Sequence, residues 1–136
     1  MEHYSHDIFI SFSFKDQTYA EALVNRLLNV YRISCWICTQ DIYAGEHYKR
    51  TIVNAINDSK LVLLLQSENS MQSTEVPKEI SLALNKNKPV IPYVIDNSEL
   101  TGDLEYDLLT VQRIDARQLG IVDNVGDNRL VLVEGK

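Results

Sequence analysis

The side chains of this chain that could do chemistry fall into a few groups, and most groups fail on spacing. Cys35-Trp36-Ile37-Cys38 is a CxxC pair. A thiol-redox pair of this kind works at a helix N-terminus, which lowers the thiol pKa. Here the cysteines lie on or at the end of an alternating, strand-like stretch, where residues three apart point to opposite faces. As half of a zinc site the pair lacks a second Cys or His pair. Two reduced structural cysteines are therefore expected. His3, His6 and His47 are too scattered for a metal site or a nucleophilic triad, so no metal is expected. A dinucleotide-binding GxGxxG turn would follow the first strand, but the sequence there is Ser11-Phe12-Ser13-Phe14-Lys15-Asp16, without glycine, and no P-loop is present. A phosphorylated receiver domain would need an aspartate ending the third strand and a lysine after the fifth. This chain has Gln66-Ser67-Glu68 and Asp115 at those places.

The residues left over become meaningful only through the elements that hold them. Residues 8–12 (IFISF) are β-branched and aromatic. Residues 16–31 then place Ala20, Leu23, Val24, Leu27, Leu28 and Tyr31 on one helical face, with Asp16 expected as the N-cap. Residues 33–37 suggest a second strand, followed by a polar loop that ends at Gly45. Tyr48, Ile52, Val53 and Ile56 mark a second helix. Residues 61–65 (LVLLL) are too short for a helix and apolar throughout, as in a strand covered on both faces. A third helix is expected to begin near Thr74 or Glu75, capped by Ser73 or Thr74, with Pro77 tolerated in its first turn and Val76, Ile80, Ala83 and Leu84 facing inward. Residues 89–95 (PVIPYVI) suggest a fourth strand. The acidic stretch 96–107 holds at most a short helix, and residues 109–114 suggest a fifth strand. In the tail, residues 117–124 read as helical and residues 130–133 as extended.

Strand starts at residues 8, 33, 61, 89 and 109 are 20 to 28 residues apart, the period of βαβ units. The expected fold class is α/β: a flavodoxin-like open five-stranded parallel sheet with helices on both faces. In such sheets the cleft lies beyond the carboxyl ends of the strands. That rule collects Ser13, Phe14, Lys15 and Asp16 after the first strand. Residues 38–45, including Asp41, follow the second, and residues 66–73 the third. Glu75 and Glu79 border the same region. Phe14 either stacks on a planar ligand or packs on the first helix. Trp36 faces either the core or the cleft wall. Gly45 ends its loop with a permissive backbone.

Composition limits the partners. The 136 residues are 45% hydrophobic and 24% charged, the profile of one ordinary domain that buries roughly two-thirds of its unfolded surface. Thirteen Lys and Arg against 19 Asp and Glu give a net charge of −6, which argues against a phosphate-backbone binder and so against nucleic acid. The longest apolar run is residues 61–65, and the start lacks a signal-peptide pattern. No membrane insertion and a cytoplasmic location are expected.

Four stretches, in order and in register, resemble one family. Residues 7–13 (DIFISFS) with Lys15 and Asp16 resemble the first motif of Toll/interleukin-1 receptor (TIR) domains. Residues 36–45 (WICTQDIYAG), leading into a helix with Ile52, Ala55 and Ile56, resemble the family's second strand and BB loop. Residues 63–70 (LLLQSENS), then Ser73, Glu79, Ile80 and Ala83, resemble its third strand and αC helix, and residues 89–92 (PVIP) its next strand. The match runs over residues 6–95. Residues 1–136 are accordingly expected to form one TIR domain of bacterial type, with its best-matched core at 6–115 and residues 116–136 as a less defined tail.

The resemblance implies the family's five-stranded parallel fold and one of two functions. Many members cleave NAD+ at the nicotinamide–ribose bond, in defence signalling and on self-association, releasing ADP-ribose or a cyclic isomer. They carry a glutamate on αC that corresponds to Glu79. NAD+ is then a substrate and no cofactor is required. Nicotinamide leaves a pyridinium as a neutral molecule, so one carboxylate suffices to hold ribose hydroxyls and stabilise the oxocarbenium-like transition state, where ordinary glycosidases need two. By the same resemblance Ser13, Phe14, Lys15, Trp36, Asp41, Gly45 and Glu75 are the candidate substrate-binding residues. Other members are non-enzymatic adaptors or virulence mimics that bind further TIR domains through the BB loop, here residues 39–45. The chain departs from the family in two places. Glu75 stands where a tryptophan is usual, and Cys38 where an acidic residue is usual, with Asp41 three residues later as a substitute.

Overall fold

The repeated strand–helix pattern closes into a sheet whose two faces each need a cover. The structure, a computed structural model, describes residues 4–117, without the side chain of Asp41. Its strands are β1 (His6–Ser11), β2 (Cys35–Trp36), β3 (Ser59–Gln66), β4 (Val90–Val94) and β5 (Ile114–Asp115). All pairings are parallel, in the order β2-β1-β3-β4-β5, the flavodoxin-like order read from the sequence period. Its helices are α1 (Gln17–Tyr31), α2 (Gln40–Tyr43), α3 (Tyr48–Asn57), α4 (Glu68–Met71), α5 (Glu75–Asn85) and α6 (Gly102–Leu108).

Period-two alternation sorts the core. On β3, Leu63 and Leu65 face α1 with Ile8, Ile10, Ala20, Leu23, Leu27 and Tyr93. Val62 and Leu64 face the other way, with Phe9, Ile52, Ile56, Val76, Ile80, Ala83, Leu104 and Leu108. The four leucine and valine side chains at 62–65 are fully buried, which is why this strand is apolar without alternation. The same alternation puts Ser11, two residues after Phe9, on the α5 side of β1. The cysteines obey it too. Cys35 packs into the α1-side cluster and Cys38 into the α5-side one, and both are free thiols.

Four expectations need correction. The second strand is two residues long rather than residues 33–37, because the end of α1 consumes the chain before it. Arg32 takes a left-handed conformation (φ 59°), and the Arg32 and Ile33 amides cap Leu28 and Leu27. Ser34 is then held by the Asp7 carboxylate through its amide at 2.9 Å. The polar loop before Gly45 contains α2, capped by Thr39 Oγ1, which accepts from the Ile42 amide. Asp16 makes no side-chain cap on α1. A 3-10 turn, Phe14–Asp16, runs directly into that helix and is capped by Ser13. The fifth strand begins at Ile114 rather than 109. Leu104 and Leu108, one helical turn apart, bury themselves as α6, while Leu109 is left 72% exposed.

The third helix starts as expected, with Ser73 Oγ accepting from the Glu75 and Val76 amides at 3.2 Å each. Leu84 is only half-buried. Helix α6 is the short helix allowed in the acidic stretch. The helical and extended readings of the tail lie outside the described residues, apart from Arg117, which grips Asp115 and Asn97.

Arg32 is exposed and holds φ 59°, a conformation that disfavours residues carrying a Cβ. Arg32→Gly is expected to raise stability by about 0.5 kcal/mol, read as a higher urea midpoint with an unchanged slope. A lower midpoint would contradict the strain.

Candidate active site

Parallel strands deliver their C-terminal ends to one edge of the sheet, and the loops there enclose a cavity of about 360 Å³. That volume is in the range of small-molecule sites. One wall is aromatic: Phe12, Phe14 and Tyr43. Phe14 packs edge-on to Phe12 at 5.9 Å and tilted against Tyr43 at 5.2 Å, and Tyr43 meets Tyr48 edge-on at 4.6 Å. The polar lining comes from Asn69, Gln72, Ser73 and Thr74, on α4 and the turn into α5. Glu75 and Glu79 complete it, with Lys15 as the one lysine or arginine among the lining residues.

Glu79 is half-buried at the cavity. Its Oε1 accepts a 2.7 Å hydrogen bond from Ser11 Oγ, and Ser11 itself is fully buried. Burial pushes the Glu79 carboxyl up to about 7. The Ser11 donor pulls in the opposite direction, and the neighbouring Glu75 charge adds to the rise. Glu75 pairs with Lys78 Nζ at 3.5 Å and lies close enough to the Tyr43 hydroxyl to affect it. Burial, then the Glu75 hydrogen bond and charge, push the Tyr43 hydroxyl above its ordinary range. Tyr43 on α2 and Glu75 on α5 therefore join the loop after β2 to the helix bearing Glu79.

The sequence-derived candidates divide by place. Ser13, Phe14, Lys15, Glu75 and Glu79 all line the cavity. Trp36 does not: it stacks on Phe9 at 5.1 Å with rings 16° apart and packs into the core on the α5 side. That is the core alternative for this residue, and it follows from the shared face of Phe9 and Trp36, partners across β1 and β2. Gly45 is exposed beyond α2 and is not among the lining residues. Asp41 is carried by α2.

Ser11, Tyr43 and Asn69 went unselected in the sequence. For Ser11 a signal existed, since a lone hydroxyl at the C-terminal end of an apolar strand, in phase with Phe9, must face the helix that covers that side. Tyr43 and Asn69 fall in the segments 38–45 and 66–73 that the strand-end rule brings to the cleft, but the short helices α2 and α4 that place them are too brief for periodicity to single them out.

Cys38 also lines the cavity. Burial, with Glu79 and Glu75 nearby, pushes its thiol up to about 11, and burial with Asp7 pushes Cys35 to about 12. Both remain protonated at neutral pH, the opposite of a reactive pair. Among the described residues no cluster of His, Cys, Asp and Glu could hold a metal ion, and no helix is long and apolar enough to cross a membrane.

The raised Glu79 carboxyl has a cost in stability. Below the ordinary carboxyl value of 4.5, folded and unfolded chains are both protonated there. Between 4.5 and about 7 the unfolded chain ionises first, so stability falls as pH rises, and the full cost is present above 7. With allowance for solvent at the cavity mouth, that cost is about 2–3 kcal/mol. Glu79→Gln is expected to unfold about that much less readily than wild type at pH 8 and equally at pH 4. Equal stability at both pH values would contradict the burial of this charge.

The comparisons with known proteins agree with this architecture. Among solved structures, the TIR domain of the Toll-related receptor TRR-2 from Hydra magnipapillata is similar with a TM-score of 0.70. Identity is 16%, over 90% of this chain and 100% of that one. The metazoan TIR-STING receptor from C. gigas is similar at 0.61 and 22% identity, over 99% of this chain and 45% of that one. The TIR domains of the activated Roq1 resistosome, which directly recognises the pathogen effector XopQ, are similar at 0.58 and 23%, over 69% and 60%. At these identities the likeness is one of fold, and the chain spans about half the length of the last two. No curated protein matches the chain in sequence. A family model described as the TIR domain matches residues 8–129. The chain belongs to the TIR domain family.

Proposed function

We propose that this TIR domain cleaves NAD+ at the nicotinamide–ribose bond, with Glu79 as its catalytic carboxylate. The observation that carries the reading is one half-buried glutamate, held by the Ser11 hydrogen bond at 2.7 Å and opening on a cavity with aromatic lining residues. The substrate is a pyridinium cation attached to a ribose. Two carboxylates and the faces of Phe14 and Tyr43 favour such a cation, and Lys15 is a charge partner for the pyrophosphate. As the C1′–N bond breaks, its electron pair neutralises the departing nicotinamide and positive charge shifts to the ribose. The Glu79 carboxylate, held by Ser11 and accepting from ribose hydroxyls, stabilises that charge. Water then adds to C1′ and loses a proton, giving ADP-ribose. Attack by a nitrogen of the adenine gives a cyclic isomer instead.

Glu75 in place of the family's usual tryptophan tunes this site. It supplies a second negative charge toward the pyridinium and raises the Glu79 carboxyl. Residues 44–47, next to Tyr43, are exposed. That leaves this loop free for self-association with a second TIR domain.

Nicotinamide release from NAD+ is the direct assay, run at high protein concentration to allow assembly. Wild type is expected to release nicotinamide with a rate that rises through about pH 7, the carboxylate being the active form. Glu79→Gln is expected to lose at least 100-fold. Glu75→Gln shifts the midpoint to lower pH and Ser11→Ala to higher pH. Equal release by wild type and Glu79→Gln would overturn the role of Glu79. No turnover in any assembly state, with specific binding of a TIR domain through residues 39–45, would instead establish an interaction module.

A further inference from the structure

The Asp16 carboxylate, expected to cap a helix, is used elsewhere. It crosses to the segment after β3, accepting from Ser67 Oγ and from Asn69 Nδ2 at 2.8 Å. Ser67 Oγ also accepts from the Ser70 amide at 3.0 Å, and Ser70 Oγ accepts from the Ser67 amide at 2.9 Å. This reciprocal cap locks the first turn of α4, so the backbone carrying Asn69 is fixed. The Asn69 amide turns its NH2 end toward the Asp16 carboxyl oxygen. One of the two N–H groups of this NH2 is donated to Asp16, while Oδ1 accepts no hydrogen bond among the described residues. Asn69 Oδ1 is then the free acceptor of the amide, and Asn69 lines the cavity.

We propose that Asn69 is a specificity-determining residue, set by Asp16 as a hydrogen-bond acceptor for an N–H or O–H group of the bound dinucleotide. This rests on the cavity being the NAD+ site. Two groups of the substrate have the required chemistry, the carboxamide NH2 of nicotinamide and a ribose hydroxyl. Asp16 is a positioning residue in this scheme. Asp16→Asn replaces one of the two acceptors with a donor, so the Asn69 amide is no longer held in one orientation and can present NH2 to the ligand.

The test is equilibrium binding, by calorimetry on the folded chain, of NAD+ and of its deamidated analogue, nicotinic acid adenine dinucleotide, whose carboxylate only accepts. Thermal unfolding of each variant confirms that it remains folded. Asn69→Ala is expected to weaken NAD+ about tenfold. If the deamidated analogue is unaffected, the donor is the carboxamide; if both weaken alike, it is a ribose hydroxyl. In the carboxamide case, Asp16→Asn is expected to shift the ratio of the two affinities toward the deamidated compound by about tenfold. In the ribose case it is expected to weaken both compounds. Unaltered affinities in Asn69→Ala and Asp16→Asn would overturn the proposal while leaving the NAD+ site in place. A wild type that binds neither dinucleotide would overturn the site assignment itself, and this proposal with it.

Discussion

One hydrogen bond joins the two halves of the site, from Ser11 Oγ on β1 to Glu79 Oε1 on α5. The covering helix sets its carboxyl against the end of a central strand, where solvent is scarce and charge is costly. Burial, with the Glu75 charge adding to it and the Ser11 donor opposing it, leaves the carboxyl at about 7. The result is an acid poised near neutrality. Functional sites recurrently show this departure from local stability. Around it the cavity is lined by aromatic and by polar residues.

The surrounding elements serve that bond. The buried runs of β1 and β3 fix the sheet, and their alternation assigns Phe9 and Ser11 to the face covered by α5. Val76, Ile80 and Ala83 hold α5 on that face, and Ser73 fixes where the helix begins. Glu75 lies one turn before Glu79 and is drawn to Tyr43 and Lys78. The loop after β2 is thereby coupled to the helix that carries the proposed catalytic group.

Much of this was legible in the sequence, for physical reasons that can be named. Continuous apolarity at residues 62–65 announces a doubly covered strand, and spacings near 28 residues announce parallel crossovers. Together they give the sheet, and the edge where Glu79 must lie. Cys35 and Cys38 were separable because three strand residues span both faces. The failures share a cause as well. Residues 109–114 looked extended by composition, but the burial of Leu104 and Leu108 favours α6 and leaves Leu109 in solvent. Asp16 looked like a cap because its type suits one, yet Ser67 and Asn69, about fifty residues later, compete for the same carboxylate. Trp36 was divided between core and cleft until the Phe9 ring beside it decided. Contacts across the sheet edge are long-range, and local pattern does not report them.

The state of the Glu79 carboxyl itself is the most direct measure of whether this constraint exists. Carbon-13 NMR titration of the glutamate side chains, assigned by Glu79→Gln, is expected to show one carboxyl with a midpoint near 7. Added NAD+ is expected to move it downward, as a pyridinium cation beside it favours the charged form. A Glu79 midpoint near 4.5, indifferent to NAD+, would contradict both the burial of this group and its place at the reacting bond.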